Sequence, residues 1–234
     1  HRDLHSFPTR RSSDLERWKY LSNVKYNTNL VDESYREEAY KRNAINHPEY
    51  TRIIAIIYAT LFVENGTIKR FFKKILNEDE YIVIATFFDV LNQMASESTK
   101  STPSFFYTLC GHNIISHDIP LLITRFILNR DKFEANKQLP IMLKNALVEK
   151  PWEADVVDVV NVWKFNGFDY TPLMLVADFL GLKKTTDLLT NNEISQYYWD
   201  NVGEKPEETL EYIAHQSATQ TNLVIQLMNE LRQL

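Results

Sequence analysis

Between Thr51 and Val63 the chain reads TRIIAIIYATLFV, β-branched and almost continuously apolar, the pattern of a strand covered on both faces. Glu64-Asn65-Gly66 is a turn signal, and the charges of TIKRFFKKI after it mark a more exposed strand, so 51–63 and 67–75 predict a hairpin. The period then changes to three and four. Ile84, Phe87, Phe88, Leu91 and Met94 fall on one face of a helix, with SESTKSTPS (96–104) as its loop. FFYTLCGHN predicts a short buried strand over 106–111 that ends in polar residues. SHDIPLLITRFIL predicts the next helix, with Ser116 as N-cap and Pro120 in the first turn.

Further along, ADVVDVVNVWKF is another apolar core segment that turns helical around Asn161 to Phe165, and TPLMLVADFLG is a short helix closed by Gly181. EISQYYWDNV predicts a short helix and 206–234 the longest one, with Leu210, Ile213, Ser217, Thr221, Val224, Met228 and Leu231 in phase. Near the start, DESYREEAYKRNAI predicts a helix with Tyr35, Ala39, Tyr40 and Ile45 on one face. Helices alternating with strands after an early hairpin imply one mixed-sheet α/β layer domain. A strand running straight into a polar loop and a helix is where such domains place their chemistry.

Composition sets limits on partners. Of 234 residues 44% are hydrophobic and 24% charged, enough for a real core and outside the range of disordered or collagen-like chains. Twenty-six Lys and Arg against 31 Asp and Glu leave a net charge of −5, so a polyanion would have to meet a local basic patch or bound cations. A single cysteine, Cys110, rules out an internal disulfide and a Cys-rich zinc cluster, and it reads as core packing. No apolar run reaches membrane-spanning length, so no membrane partner is expected and the cytoplasm of a bacterial or phage-infected cell is the default location.

Residues 1–15, HRDLHSFPTRRSSDL, are polar, basic and patternless, and they resemble the conceptual translation of a sequencing-adapter fragment of metagenomic assemblies. The expectation is a non-native or disordered tail, with the authentic domain over 16–234 and its own N-terminus missing.

The most informative phrase is Gly111-His112-Asn113-Ile114-Ile115-Ser116-His117-Asp118-Ile119-Pro120. A carboxylate at the start of a predicted helix is explained by free N–H groups and the helix dipole, and equally by cation binding. His112 and Asn113 at the strand end satisfy loop amides or touch a ligand. Zinc at His112, His117 and Asp118 would need better-spread ligands. Lys69, Arg70, Lys73 and Lys74 are either a charged edge that blocks sheet association or phosphate contacts. Trp152, Trp163, Tyr197, Tyr198 and Trp199 are core residues or base-stacking platforms.

LCGHNIISHDIPLLITRFILNR resembles the second motif of the DnaQ-like 3′–5′ exonucleases, in particular the predicted exonuclease group related to the proofreading domain of family B DNA polymerases. HPEYTRIIAIIYA before it, and PWEADVVDVVNVWKF, YTPLMLVADFLGL, NNEISQYYW and EYIAHQSATQT after it, agree in order over roughly 35–234. The resemblance implies an RNase H-like mixed sheet flanked by helices, here lacking its first, central strand. That strand would sit between those of 51–63 and 106–111. It also implies hydrolysis of nucleic acid, single-stranded DNA above all, by two Mg²⁺ or Mn²⁺ ions about 3.5 to 4 Å apart, with replication proteins as further partners.

Residue by residue, Asp118 matches the metal-binding aspartate, and His112 and Asn113 the polar pair before it, which with His117 would contact nucleic acid. His117 stands where Phe is usual. Tyr212 matches the water-orienting tyrosine, and Gln216 stands where the last catalytic aspartate belongs. Asp158 matches a position of the family pattern, while Asn161 and Met174 replace acidic residues. Asp3, Asp14, Asp32 and Glu33 do not supply the Asp-x-Glu motif of the first strand. Asp118 is then the sole matched metal-binding carboxylate, with Glu211 as a possible displaced substitute, and the chain is expected to be inactive. Two other readings stay open: a non-catalytic nucleic-acid-binding or protein-docking module, and a structural phage or replication-complex component.

Overall fold

The computed structural model describes residues 2–8, 40, 44, 47–64, 67–100, 107–135, 137–148, 156–164 and 170–231. The predicted hairpin is present as β2 (Thr51–Glu64) and β3 (Thr67–Leu76), antiparallel from Ala55↔Leu76 to Glu64↔Thr67. β2 is long because its apolar run lies between two helical layers. Ile53 and Ile56 pack toward α1 (Glu80–Lys100) and α2 (Ile119–Leu128), whereas Ile54 and Ala55 pack toward α6 (Asn191–Asn201) and α7 (Pro206–Leu231). Two consecutive residues share a face because the register slips there: His5 pairs with Ala55 but Ser6 with Ile53, leaving Ile54 as a bulge.

The partner strand across that register is β1, Arg2–Pro8, antiparallel to β2. The sequence expectations at this place are a non-native or disordered tail, or a non-native segment filling the gap left by a missing strand; over residues 2–8 the structure has a strand paired with β2. The second edge of a buried apolar strand must find backbone partners, and an extended, glycine-free segment supplies them. Residues 9–15 lie outside the described residues, as does most of the helix predicted over 32–45. Of that helix, Tyr40 and Ala44 pack with Tyr50.

β4 (Leu109–Gly111) also approaches β1 and pairs in parallel with β5 (Val156–Asp158). Between β4 and β5 come α1's neighbours α2 and α3 (Ile141–Val148). After β5 follow α4 (Val159–Trp163) and α5 (Leu173–Leu180), and α7 crosses under β1, β2 and β3. Gly181 closes α5 at φ 63°, as the sequence predicts. Ser116 does not cap α2. A π-helical turn, Ile114–Asp118, runs directly into that helix, so helical backbone already surrounds Ser116. Among the described residues no helix is long and apolar enough to cross a membrane. The molecule is thus a mixed α/β domain with its sheets held between helices.

Candidate functional site

β4 ends at Gly111, and the chain there turns back tightly enough that a Cβ on Gly111 would stand 3.0 Å from Ile114 Cβ. Asn113 takes up the turn in the left-handed region, at φ 61° and ψ 25°, a conformation its short polar side chain tolerates. Asp158, paired with Gly111 across β4 and β5, fixes the geometry. Its Oδ1 accepts from Asn113 N at 2.8 Å and Val160 N at 3.1 Å, and its Oδ2 accepts from Ile115 N at 3.1 Å. One buried carboxylate therefore holds the His112–Ile115 turn and caps α4.

This turn forms one wall of a cleft of about 380 Å³. Asn113, His117 and Asp118 line it from one side, Tyr170 and the start of α5 from a second, and Leu188–Asn191 with Gln220 of α7 from a third. His117 Nδ1 donates to Asp118 Oδ1 at 2.9 Å, and this bond pushes the imidazole above its ordinary value against the opposing effect of burial. Burial pushes His112 down, and its Nε2 donates to the Thr171 carbonyl at 3.0 Å, since a carbonyl oxygen can only accept. Its ring meets Tyr170 edge-on, 5.7 Å between centroids. Burial, helped by the charges of Asp118 and Asp158, pushes the Tyr170 hydroxyl up and keeps it a donor.

Four of the residues expected from sequence, His112, Asn113, His117 and Asp118, thus come together. Tyr212 and Gln216 do not line this cleft. Gln216 is 1% exposed and sits behind the wall: its Oε1 accepts from Leu189 N at 3.2 Å, and its Nε2 donates to Asp187 O at 3.3 Å and to the Tyr212 hydroxyl at 3.2 Å. A carboxylate at this position has no proton for Asp187. Tyr212 meets Tyr197 with the rings tilted by 36° and their centroids 4.3 Å apart. Glu211 is no displaced catalytic acid, because it binds Lys74 of β3 at 2.6 Å on an exposed surface.

The residues present do not fit two divalent cations. Asp118 is the one carboxylate among the described residues that line the cleft, and among the described residues no three His, Cys, Asp or Glu side chains converge as a metal site. The His112, His117, Asp118 zinc arrangement is not assembled either, since among the described residues these three side chains do not converge as a metal site.

Sequence reasoning missed Tyr170 and the Thr190–Asn191 wall. The latter carried a signal in Thr190-x-x-Glu193, a capping box at the start of α6 that sets the wall's end. Of the candidate stacking aromatics Tyr198 is fully buried, Trp163 and Trp199 are half-buried against core clusters, Tyr197 is half-buried beside Tyr212, and Trp152 lies outside the described residues. Cys110 packs beside α7 as expected, and burial raises its thiol. An apolar pocket of about 280 Å³ between β2 and β4 holds no charged residue and offers no comparable chemistry. Comparison with family models, with curated proteins and with solved structures gives no match for this chain.

Proposed function

We propose that this domain is a DnaQ-like relative of the 3′–5′ exonucleases that receives the end of single-stranded DNA in its cleft without hydrolysing it. The observation that carries this reading is the convergence of Asn113, His117, Asp118 and Tyr170 in one cleft at the end of β4. These groups offer hydrogen-bond donors and acceptors to a sugar and phosphate. β4, in a second two-stranded sheet with β5, approaches β1 of the β1-β2-β3 sheet, and this proximity is what the architecture offers toward an RNase H-like arrangement. Against turnover stand Gln216, tied to backbone, and the single cleft carboxylate.

The test is binding of labelled single-stranded DNA with a free or a phosphorylated 3′ end, together with a nuclease assay in Mg²⁺ and Mn²⁺. Binding that prefers the free 3′ end, with no turnover above Asp118→Ala, is expected. Indifference to the 3′ end would remove the cleft from the account. A metal-dependent rate abolished by Asp118→Ala would establish an active nuclease.

A further inference from the structure

β3 carries four cations and no acidic residue in a chain of net charge −5, and its two faces treat them differently. Arg70 and Lys74 face α7, where Arg70 Nη1 donates to Asn222 Oδ1 at 3.2 Å and Lys74 Nζ binds Glu211. Lys69 and Lys73 alternate to the other face and are exposed. Among the described residues neither forms an ion pair with a carboxylate. Between them lies Phe71, 55% exposed, stacked across the hairpin on Phe62, 43% exposed, with centroids 5.5 Å apart and planes within 9°. Lys69 stands opposite Phe62 in the register and Lys73 opposite Tyr58.

A charged edge that repels other sheets explains the lysines but not two large rings left open beside them. We propose that this face of the hairpin is a docking surface for single-stranded nucleic acid. Phe62 and Phe71, stacked on each other and both exposed, offer an apolar ring face on which an unpaired base extends the stack. Lys69 and Lys73, about 13 Å apart along the strand, neutralise phosphates on either side. Duplex DNA hides the base faces that the platform needs, and an acidic peptide would satisfy the lysines while leaving the rings without a flat partner. The surface is distinct from the cleft, so the two readings fail separately.

Fluorescence anisotropy of the full chain tests it, with 3′-phosphorylated oligothymidylate and oligouridylate as probes so that a free 3′ end plays no part. Salt-dependent binding of either single strand, stronger than that of a duplex, is expected. Lys69→Glu with Lys73→Glu weakens it on the order of tenfold and makes log affinity against log salt shallower by about 1.4. Phe71→Ala weakens binding about fivefold or more with the salt slope unchanged. Should the double reversal lower the thermal midpoint, Lys69→Gln with Lys73→Gln is read in the same way. Absence of salt-dependent binding, variants that bind like the parent chain, or a preference for a glutamate-rich peptide would overturn the proposal.

Discussion

Glu80 and Asp118 are equally buried carboxylates, each 6% exposed, yet they have different surroundings. Glu80 opens α1 with both oxygens filled. Oε1 accepts from Ile53 N at 2.7 Å and Arg125 Nε at 2.8 Å, and Oε2 accepts from Arg125 Nη2 at 2.7 Å and Asn129 Nδ2 at 2.9 Å. Arg125 Nη1 continues to the Pro48 and Glu49 carbonyls, so one network ties β2, α1, α2 and the approach to β2 together. Asp118 instead pairs with a histidine whose side chain is 31% exposed and lies on the cleft wall. Burial of charge alone does not mark a site. A carboxylate whose lone pairs meet a permanent cation and amides belongs to the frame, whereas Asp118 at a cavity faces a histidine whose charge depends on pH.

The largest effect is expected from breaking the frame. Glu80→Ala leaves a guanidinium and an amide buried without their acceptor and should cost about 3 to 5 kcal/mol in urea unfolding. A loss below about 1 kcal/mol would show that water replaces the carboxylate and that the frame is not built around it. Asp158→Ala comes next. It orphans three backbone donors and removes the cap of α4, at about 2 to 4 kcal/mol. Because the same bonds hold the His112–Ile115 turn, the DNA binding proposed for the cleft should fall further than the loss of folded protein accounts for. Equal losses would mean that the turn keeps its shape without Asp158.

The elements were legible where one stretch of sequence decides them. The apolar run of β2, the turn before β3, the period of α1 and α7 and Gly181 all act locally. The site was legible only in its contiguous part, Gly111 to Asp118. Glu80 and Arg125 are 45 positions apart and meet because two helices pack, which no periodicity announces. Ser116 looks like a cap in the letters and is not one, since the π-helical turn before α2 is set by the Asp158 bonds to the loop. Gln216 lies one turn before Gln220, which lines the cleft, but its own side chain is tied to the 187–189 backbone.

That intervening wall sharpens the comparison through a substitution that adds a third buried carboxylate. Gln216→Asp restores the acid of the resembling family, but the shorter side chain forfeits the bond to Asp187 O and buries a charge at a position 1% exposed. A cost of about 1 to 3 kcal/mol is expected, with no metal-dependent nuclease activity. Activity regained with Mn²⁺ would place residue 216 at the cleft after all.

The smallest effects should come from the two cleft histidines, and their signs are opposite. The bond to Asp118 raises His117 above 6.5, so the fold favours its cation. That contribution is complete below the unfolded value and is lost as pH rises through the raised one. Burial lowers His112 below 6.5, so the fold favours its neutral form, and stability falls as pH drops from the unfolded value through the lowered one. His117→Gln should therefore cost more stability at about pH 5.5 than at about pH 8.5, and His112→Gln more at about pH 8.5 than at about pH 5.5. Urea melts of both variants across that range separate the two. Parallel shifts would mean that one common change, such as opening of the turn between them, governs both residues. Opposed shifts would identify His117–Asp118 as the part of the cleft that changes charge while the His112–Thr171 contact keeps its shape.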